Sequence, residues 1–259
     1  MPQQRTWGHW LGLIAVGLVA GFLSGLFGVG GGILIVPALT LLLSFDHRIA
    51  AGTSLAAIVP VGIVGVISYA LNGSVDWIAA GLLALAAVVG AQIGSHLLSR
   101  LPLPALRWGF IAFLVVVIVS LFLVTPSRDG VIDLTLWSVL GLLALGLVAG
   151  ILSGLLGIGG GIVVVPMLII LFGASDLVAR GTSLLMIIPT AISGTIGNAV
   201  RRIVDLPAAV VIGVSACTTT ALGALAAAAI DPAVANILFA VFVAVVAVQL
   251  AVKAVRSAR

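Results

Sequence analysis

The chain has 259 residues, 63% of them hydrophobic and 7% charged, and its 11 Lys and Arg against seven acids give a formal net charge of +4. A soluble domain carries roughly 25% charged residues. A mean hydropathy of +1.42 therefore excludes a water-soluble globule, and with it disordered, collagenous and disulfide-built chains. The remaining class is an integral membrane protein, with room for roughly eight to ten crossings at about 20 residues each and nothing over for a soluble catalytic domain.

The first apolar segment, 10–28, has the look of a signal peptide. It lacks a polar cleavage region, and its pattern returns in mid-chain, so it reads as a retained helix. It carries Gly17, Gly21 and Gly25, whose spacing of four lines one helix face and permits close backbone approach to a neighbour. The second segment, 32–43, is too short to span: a dozen residues reach about 18 Å, against a hydrocarbon core of roughly 30 Å. It is preceded by Gly28, Gly30, Gly31 and Gly32 and contains Pro37. Glycine leaves the backbone bare and proline removes an amide donor, so Gly28 and Pro37 predict a helix broken at mid-depth.

Segments three to five follow at 50–71, 76–99 and 105–124. Thr53 and Ser54 stand near the start of the third, where their hydroxyls either cap the helix or donate to a bound oxyanion. In the fourth, Gln92 reads best as a bridge between helices and His96 as a snorkelling surface histidine. The second half repeats the pattern at 136–157, 161–173, 178–200, 206–229 and 233–255.

An offset of 129 residues superposes the two series. The stretch 21–37 (GFLSGLFGVGGGILIVP) falls on 150–166 (GILSGLLGIGGGIVVVP) with twelve of 17 positions identical, and the register continues through Gly-Thr-Ser-Leu at 52–55 and 181–184. This is an internal duplication, dividing one membrane domain into repeats 1–129 and 130–259. The second repeat supplies Gly157, Gly159, Gly160, Gly161, Pro166, Thr182 and Ser183 as counterparts, and Asn198 as an intramembrane polar residue with no identical twin, fit either to bridge helices or to touch a ligand.

An odd number of crossings per repeat, five or three if the first two segments dip in and return, makes the repeats inverted. With the N-terminus cytoplasmic, Arg5, Arg48, Arg100, Arg107, Arg201, Arg202, Lys253, Arg256 and Arg259 lie inside, and only Arg128 and Arg180 outside. That bias predicts both termini on the cytoplasmic side of the cell (inner) membrane. The fold class expected is thus an all-α polytopic membrane protein of two inverted repeats, about five helical segments each, with a short half-helix at each glycine motif.

Non-helical backbone at membrane depth is tolerated only where protein or a watery cavity satisfies it. Two half-helices entering from opposite faces would aim their positive N-terminal ends at a shared pocket, a setting suited to an anion. Candidate contacts are Gly30, Gly31, Gly32, Thr53, Ser54, Gly159, Gly160, Gly161, Thr182, Ser183 and Asn198. A tight helical hairpin with no ligand is the structural alternative. Arg180 either draws anions to the outer entrance or meets a lipid headgroup.

Chemistry of other kinds finds no footing. Residues 28–33 miss the last glycine of a dinucleotide fingerprint, and no lysine follows to make a phosphate loop. Three scattered His, one Cys and no Glu assemble neither a metal site nor a general-acid pair. Cys217 reads as a small buried residue. No enzyme activity, cofactor, metal or nucleic-acid partner is expected. The partners expected are the bilayer and a small anion, and the glycine faces leave a homodimer open.

The duplicated signature G-x-L-S-G-L-x-G-(V/I)-G-G-G, running on to Val-Pro and then to Gly-Thr-Ser-Leu, resembles the sulfite exporter TauE/SafE family of membrane permeases over nearly the whole chain. The resemblance implies a secondary transporter of small sulfur-containing anions such as sulfite, thiosulfate or organosulfonates. Its signature falls on Gly28, Gly30, Gly31, Gly32 and Pro37, and on Gly157, Gly159, Gly160, Gly161 and Pro166. An anion channel on the same broken helices is the alternative.

Overall fold

The computed structural model describes residues 7–123, 130 and 132–256. Arg5, Arg128 and Arg259 from the charge argument lie outside them, as does most of the polar stretch on which the repeats divide. Among the described residues the chain is helical throughout and has no strand: α1 (Trp7–Phe27), α2 (Gly32–Leu41), α3 (His47–Ala70), α4 (Trp77–Arg100), α5 (Leu103–Leu123), α6 (Leu136–Leu156), α7 (Gly161–Phe172), α8 (Asp176–Val200), α9 (Leu206–Ala229) and α10 (Pro232–Arg256). Among the described residues, α1, α3, α4, α6, α8, α9 and α10 are long and apolar enough to cross a bilayer. The short α2 and α7 have 10 and 12 residues, about half the thickness of the hydrocarbon core.

Among the described residues, Asp46, Asp76, Asp205 and Asp231 take up helix starts. Asp46 accepts from the Arg48 amide at 2.9 Å, Asp76 from those of Ile78 and Ala79 at 3.1 and 2.9 Å, and Asp205 from that of Ala208 at 3.2 Å. A short carboxylate at the N-cap satisfies amides that have no partner inside the helix. The long third helices consequently begin at His47 and Asp176, before the expected 50 and 178, with Asp46 and Ser175 as their caps. Thr53 and Thr182 lie a full turn or more inside and are not caps.

The outer surface is apolar, and exposed tryptophans mark its two rims: Trp7 and Trp108 open α1 and α5, and Trp77 and Trp137 open α4 and α6. Such rings settle at the headgroup level. Cys217, expected to be buried, is only partly so.

Each short helix turns back along its predecessor. Gly31 sits against the Ala20 carbonyl, Gly12 against Leu43, and the Phe45 ring stacks on His9 at 5.7 Å. In the second repeat, Gly160 sits against the Ala149 carbonyl and Gly141 against Phe172. The short second helix of each repeat thus runs back toward the end at which the first helix began.

The repeats pack by exchange. On α1, Gly17, Gly21 and Gly25 press on the carbonyls of Ile212, Ala216 and Thr220 in α9; on α6, Gly146, Gly150 and Gly154 press on those of Leu83, Ala87 and Ala91 in α4. A Cβ at any of the six would overlap the facing backbone, so both glycine rows are consumed in packing one repeat on the other. Between these pairs α3 and α8 cross antiparallel at the centre, Gly65 facing Leu184 and Gly194 facing Leu55.

Candidate functional site

The helix breaks fall on residues 28–31 and 157–160. Gly28, Gly30 and Gly31, and their twins Gly157, Gly159 and Gly160, have φ between 72° and 88°, the left-handed region that costs an L-residue roughly 1–2 kcal/mol. The glycines therefore make the turns. Pro37 and Pro166 do not: each lies inside the short helix as its sixth residue. A proline there removes one amide of the second turn and leaves the helix start untouched.

The two turns meet. A Cβ on Gly32 would lie 2.6 Å from Ile158 Cα and 2.7 Å from the Gly157 carbonyl, and one on Gly161 would lie 2.9 Å from the Gly28 carbonyl. Ile58 of α3 and Ile187 of α8, themselves twins, flank Gly30 and Gly159. Everything from Gly28 to Gly32 and from Gly157 to Gly161 is buried, so the N-terminal ends of α2 and α7 converge on an occluded centre. Glycine N-caps start both helices and no side chain caps either one.

Hydroxyl groups ring this centre on unequal terms. Ser54 Oγ donates to the Gly157 carbonyl at 2.7 Å. Its twin Ser183 Oγ would lie 2.7 Å from a Gly161 Cβ, and it is wholly buried without a hydrogen-bond partner. Ser24 and Ser153, whose carbonyls accept the Gly28 and Gly157 amides at 2.8 Å, likewise bury unpartnered hydroxyls. Orphaned buried polar atoms are scarce in folded proteins and call for an explanation.

Other candidates fall elsewhere. Thr53 Oγ1 accepts from the Asp205 amide at 3.0 Å and Thr182 Oγ1 from the Asp76 amide at 2.9 Å; both stitch one repeat to the helix start of the other, away from the glycine turns. Asn198 lies eleven residues beyond Ile187, about 16 Å along α8. It is fully buried, and neither its Oδ1 nor its Nδ2 has a partner. Gln92 bridges helices, donating to the Ser193 carbonyl at 2.6 Å, and exposed His96 meets Arg201 at 3.3 Å. Arg180 contacts no lipid headgroup region: it is 5% exposed, with Nη1 donating to the Leu26 carbonyl at 2.9 Å and Nη2 lying 3.5 Å from Asp176 Oδ2. Among the described residues no three His, Cys, Asp or Glu gather as metal ligands.

Ser24, Ser153, Ile58 and Ile187 were not singled out from the sequence. Their signal was present, since each pair obeys the 129-residue offset, but Ser and Ile in apolar helices do not announce a role by type.

An apolar exterior, seven helices among the described residues long and apolar enough to span a bilayer, and two half-helices meeting at a buried centre define a multi-pass membrane protein. The model of the sulfite exporter TauE/SafE family matches residues 1–121 and 142–259, and the chain belongs to that family. It is 31% identical to a probable membrane transporter protein of Haemophilus influenzae over 93% of this chain and 97% of the relative. It is 28% identical to the probable membrane transporter protein YunE of Bacillus subtilis over 72% and 77%, and 30% identical to YdhB of the same organism over 74% and 80%. No solved structure matches the chain significantly.

Proposed function

We propose that this protein is a secondary transporter of small sulfur-containing anions, sulfite, thiosulfate or organosulfonates, working by alternating access around the two glycine turns. The observation that carries this reading is the buried, unpartnered hydroxyl of Ser183 against the uncapped start of α7, with the unpartnered hydroxyls of Ser24 and Ser153 one turn before the two glycine turns. Helix starts offer amides and positive dipole ends, and the hydroxyls add neutral donors. No carboxylate stands among them to repel negative charge or to attract a cation. The sulfur chemistry follows from membership of the sulfite exporter TauE/SafE family.

The antiparallel crossing of α3 and α8 supports inverted repeats, with the N-terminal face cytoplasmic. Contact between the turns makes the described state an occluded one, from which rocking of one exchanged helix set against the other opens the centre to either face. An inside-negative potential drives a monoanion outward by about 2.3 kcal/mol per 100 mV, so export proceeds without a coupling ion.

The test is flux in proteoliposomes offered sulfite, thiosulfate, sulfoacetate and taurine. Saturable, trans-stimulated flux of at least one sulfur anion is expected, and it is lost in Gly31→Leu and Gly160→Leu proteins that still fold. Flux that neither saturates nor shows trans-stimulation would replace the carrier with an anion channel; full flux in both leucine variants would remove the site.

A further inference from the structure

Two short helices start at the centre, and the charges around those starts fix how much negative charge the centre can hold. The long helices that touch the glycine turns are α1, α3, α6 and α8. Within α2, α6 and α7 no side chain is ionisable, and α1 has His9 alone, at the end away from the turn. On α3, His47 and Arg48 lie eleven and ten residues before Ile58 and Tyr69 lies eleven beyond it, about 15–16 Å along the helix. On α8, Arg180 comes nearest, its Cα and Cβ backing Gly28. Its guanidinium, however, is turned to the Leu26 carbonyl and to Asp176, 3.5 Å away, and that pair is neutral as a whole. Farther out, α9 holds no charged residue, and α4, α5 and α10 carry theirs within five residues of a helix end.

We infer that the centre selects singly charged oxyanions: hydrogensulfite over the sulfite dianion, and organosulfonates of one charge over thiosulfate or sulfoacetate. This rests on the transport reading given above and narrows it. What remains to meet an anion is the positive end of α2 and of α7, about half an elementary charge each. Their sum balances one negative charge. A second, brought into the same buried place, stands uncompensated, and burying an unpaired charge is costly. The Ser183 hydroxyl, wholly buried, unpartnered and set against the start of α7, is the independent sign of a place kept for a ligand, and it offers a hydrogen bond without adding charge. The turns touch in the occluded state, so the anion enters as they part, and the same two helix ends meet it from either face.

The test uses the wild-type protein in proteoliposomes and three two-carbon sulfonates of like size: isethionate with one negative charge, sulfoacetate with two, and taurine, whose ammonium brings the net charge to zero. Isethionate is expected to give a KM at least tenfold below those of sulfoacetate and taurine at neutral pH. Sulfite supplies a second arm, because it exchanges between hydrogensulfite and the dianion across neutral pH while isethionate does not titrate there. The KM for total sulfite, divided by that for isethionate to remove any titration of the protein, is expected to rise severalfold with pH, in step with the loss of hydrogensulfite. A KM for sulfoacetate or taurine within twofold of that for isethionate or below it, or a sulfite ratio that stays level or falls as the pH rises, would overturn the inference while leaving the transport reading intact. Wild-type vesicles passing none of these anions, nor thiosulfate, would overturn both.

Discussion

The two glycine turns share a backbone but not a neighbourhood. Both have three left-handed glycines, both start a short helix on an uncapped glycine, and both press on the same repeat-related isoleucines. Around this common frame the side chains diverge. Ser54 is bonded to Gly157 while Ser183 has no partner. Tyr69 donates to the Gly25 carbonyl at 2.7 Å, whereas its counterpart Asn198 makes no side-chain bond. Arg180 backs the first turn where Ala51 backs the second. Duplication fixed a symmetric scaffold, and among the departures from it Ser183 and Asn198 bury polar atoms without a hydrogen-bond partner.

The comparison is broken most forcefully at the shared packing. Gly21→Val and Gly150→Val each drive a side chain into facing backbone, at Ala216 and Ala87 respectively. Backbone cannot step aside as a side chain can, so the cost should exceed the usual 1–3 kcal/mol or so of overpacking. Thermal melts in detergent are expected to fall by similar large amounts for the two variants; a marked inequality would show that the repeats do not share the load.

Asn198 separates ligand contact from packing. Replacing a buried, unpartnered amide by an apolar side chain of like size removes a desolvation cost. Asn198→Leu is expected to melt no lower than the wild type while its flux falls several-fold. Lower stability with unchanged flux would make the amide structural.

The serine pair gives a finer contrast. Ser54→Ala removes a buried hydrogen bond and should cost about 1 kcal/mol in chemical or thermal denaturation, while Ser183→Ala should cost nothing in stability and raise KM. Thr53→Val and Thr182→Val leave one amide each without its acceptor. A loss of about 1–2 kcal/mol, equal in both and with KM unaltered, is expected from parallel melts and flux assays.

Much of this frame was legible in the sequence, because it is written in composition and period. Ten segments, the duplication and the breaks at Gly28 and Gly157 follow from apolar run length and from glycine's freedom at positive φ. Pro37 and Pro166 misled because proline's cost inside a helix is local and a short apolar helix packed among neighbours absorbs it. Thr53 and Thr182 misled because the caps that displaced them, Asp46 and Ser175, sit outside the expected segments. What no linear reading conveys is partnership: Ser54 and Ser183 occupy identical words in the two repeats, and only the packing of α3 and α8 against the opposite turns tells a bonded hydroxyl from an orphan.

The central claim is that the orphaned hydroxyls and the two helix starts hold the anion. Its most direct test is the affinity of purified protein for sulfite, thiosulfate and sulfoacetate, measured by calorimetry on a variant carrying Ser24→Ala, Ser153→Ala and Ser183→Ala together. Three unpartnered buried hydroxyls contribute nothing to the fold, so the variant should melt at or above the wild-type temperature while binding at least tenfold more weakly. Wild-type affinity in a well-folded triple variant would contradict the account.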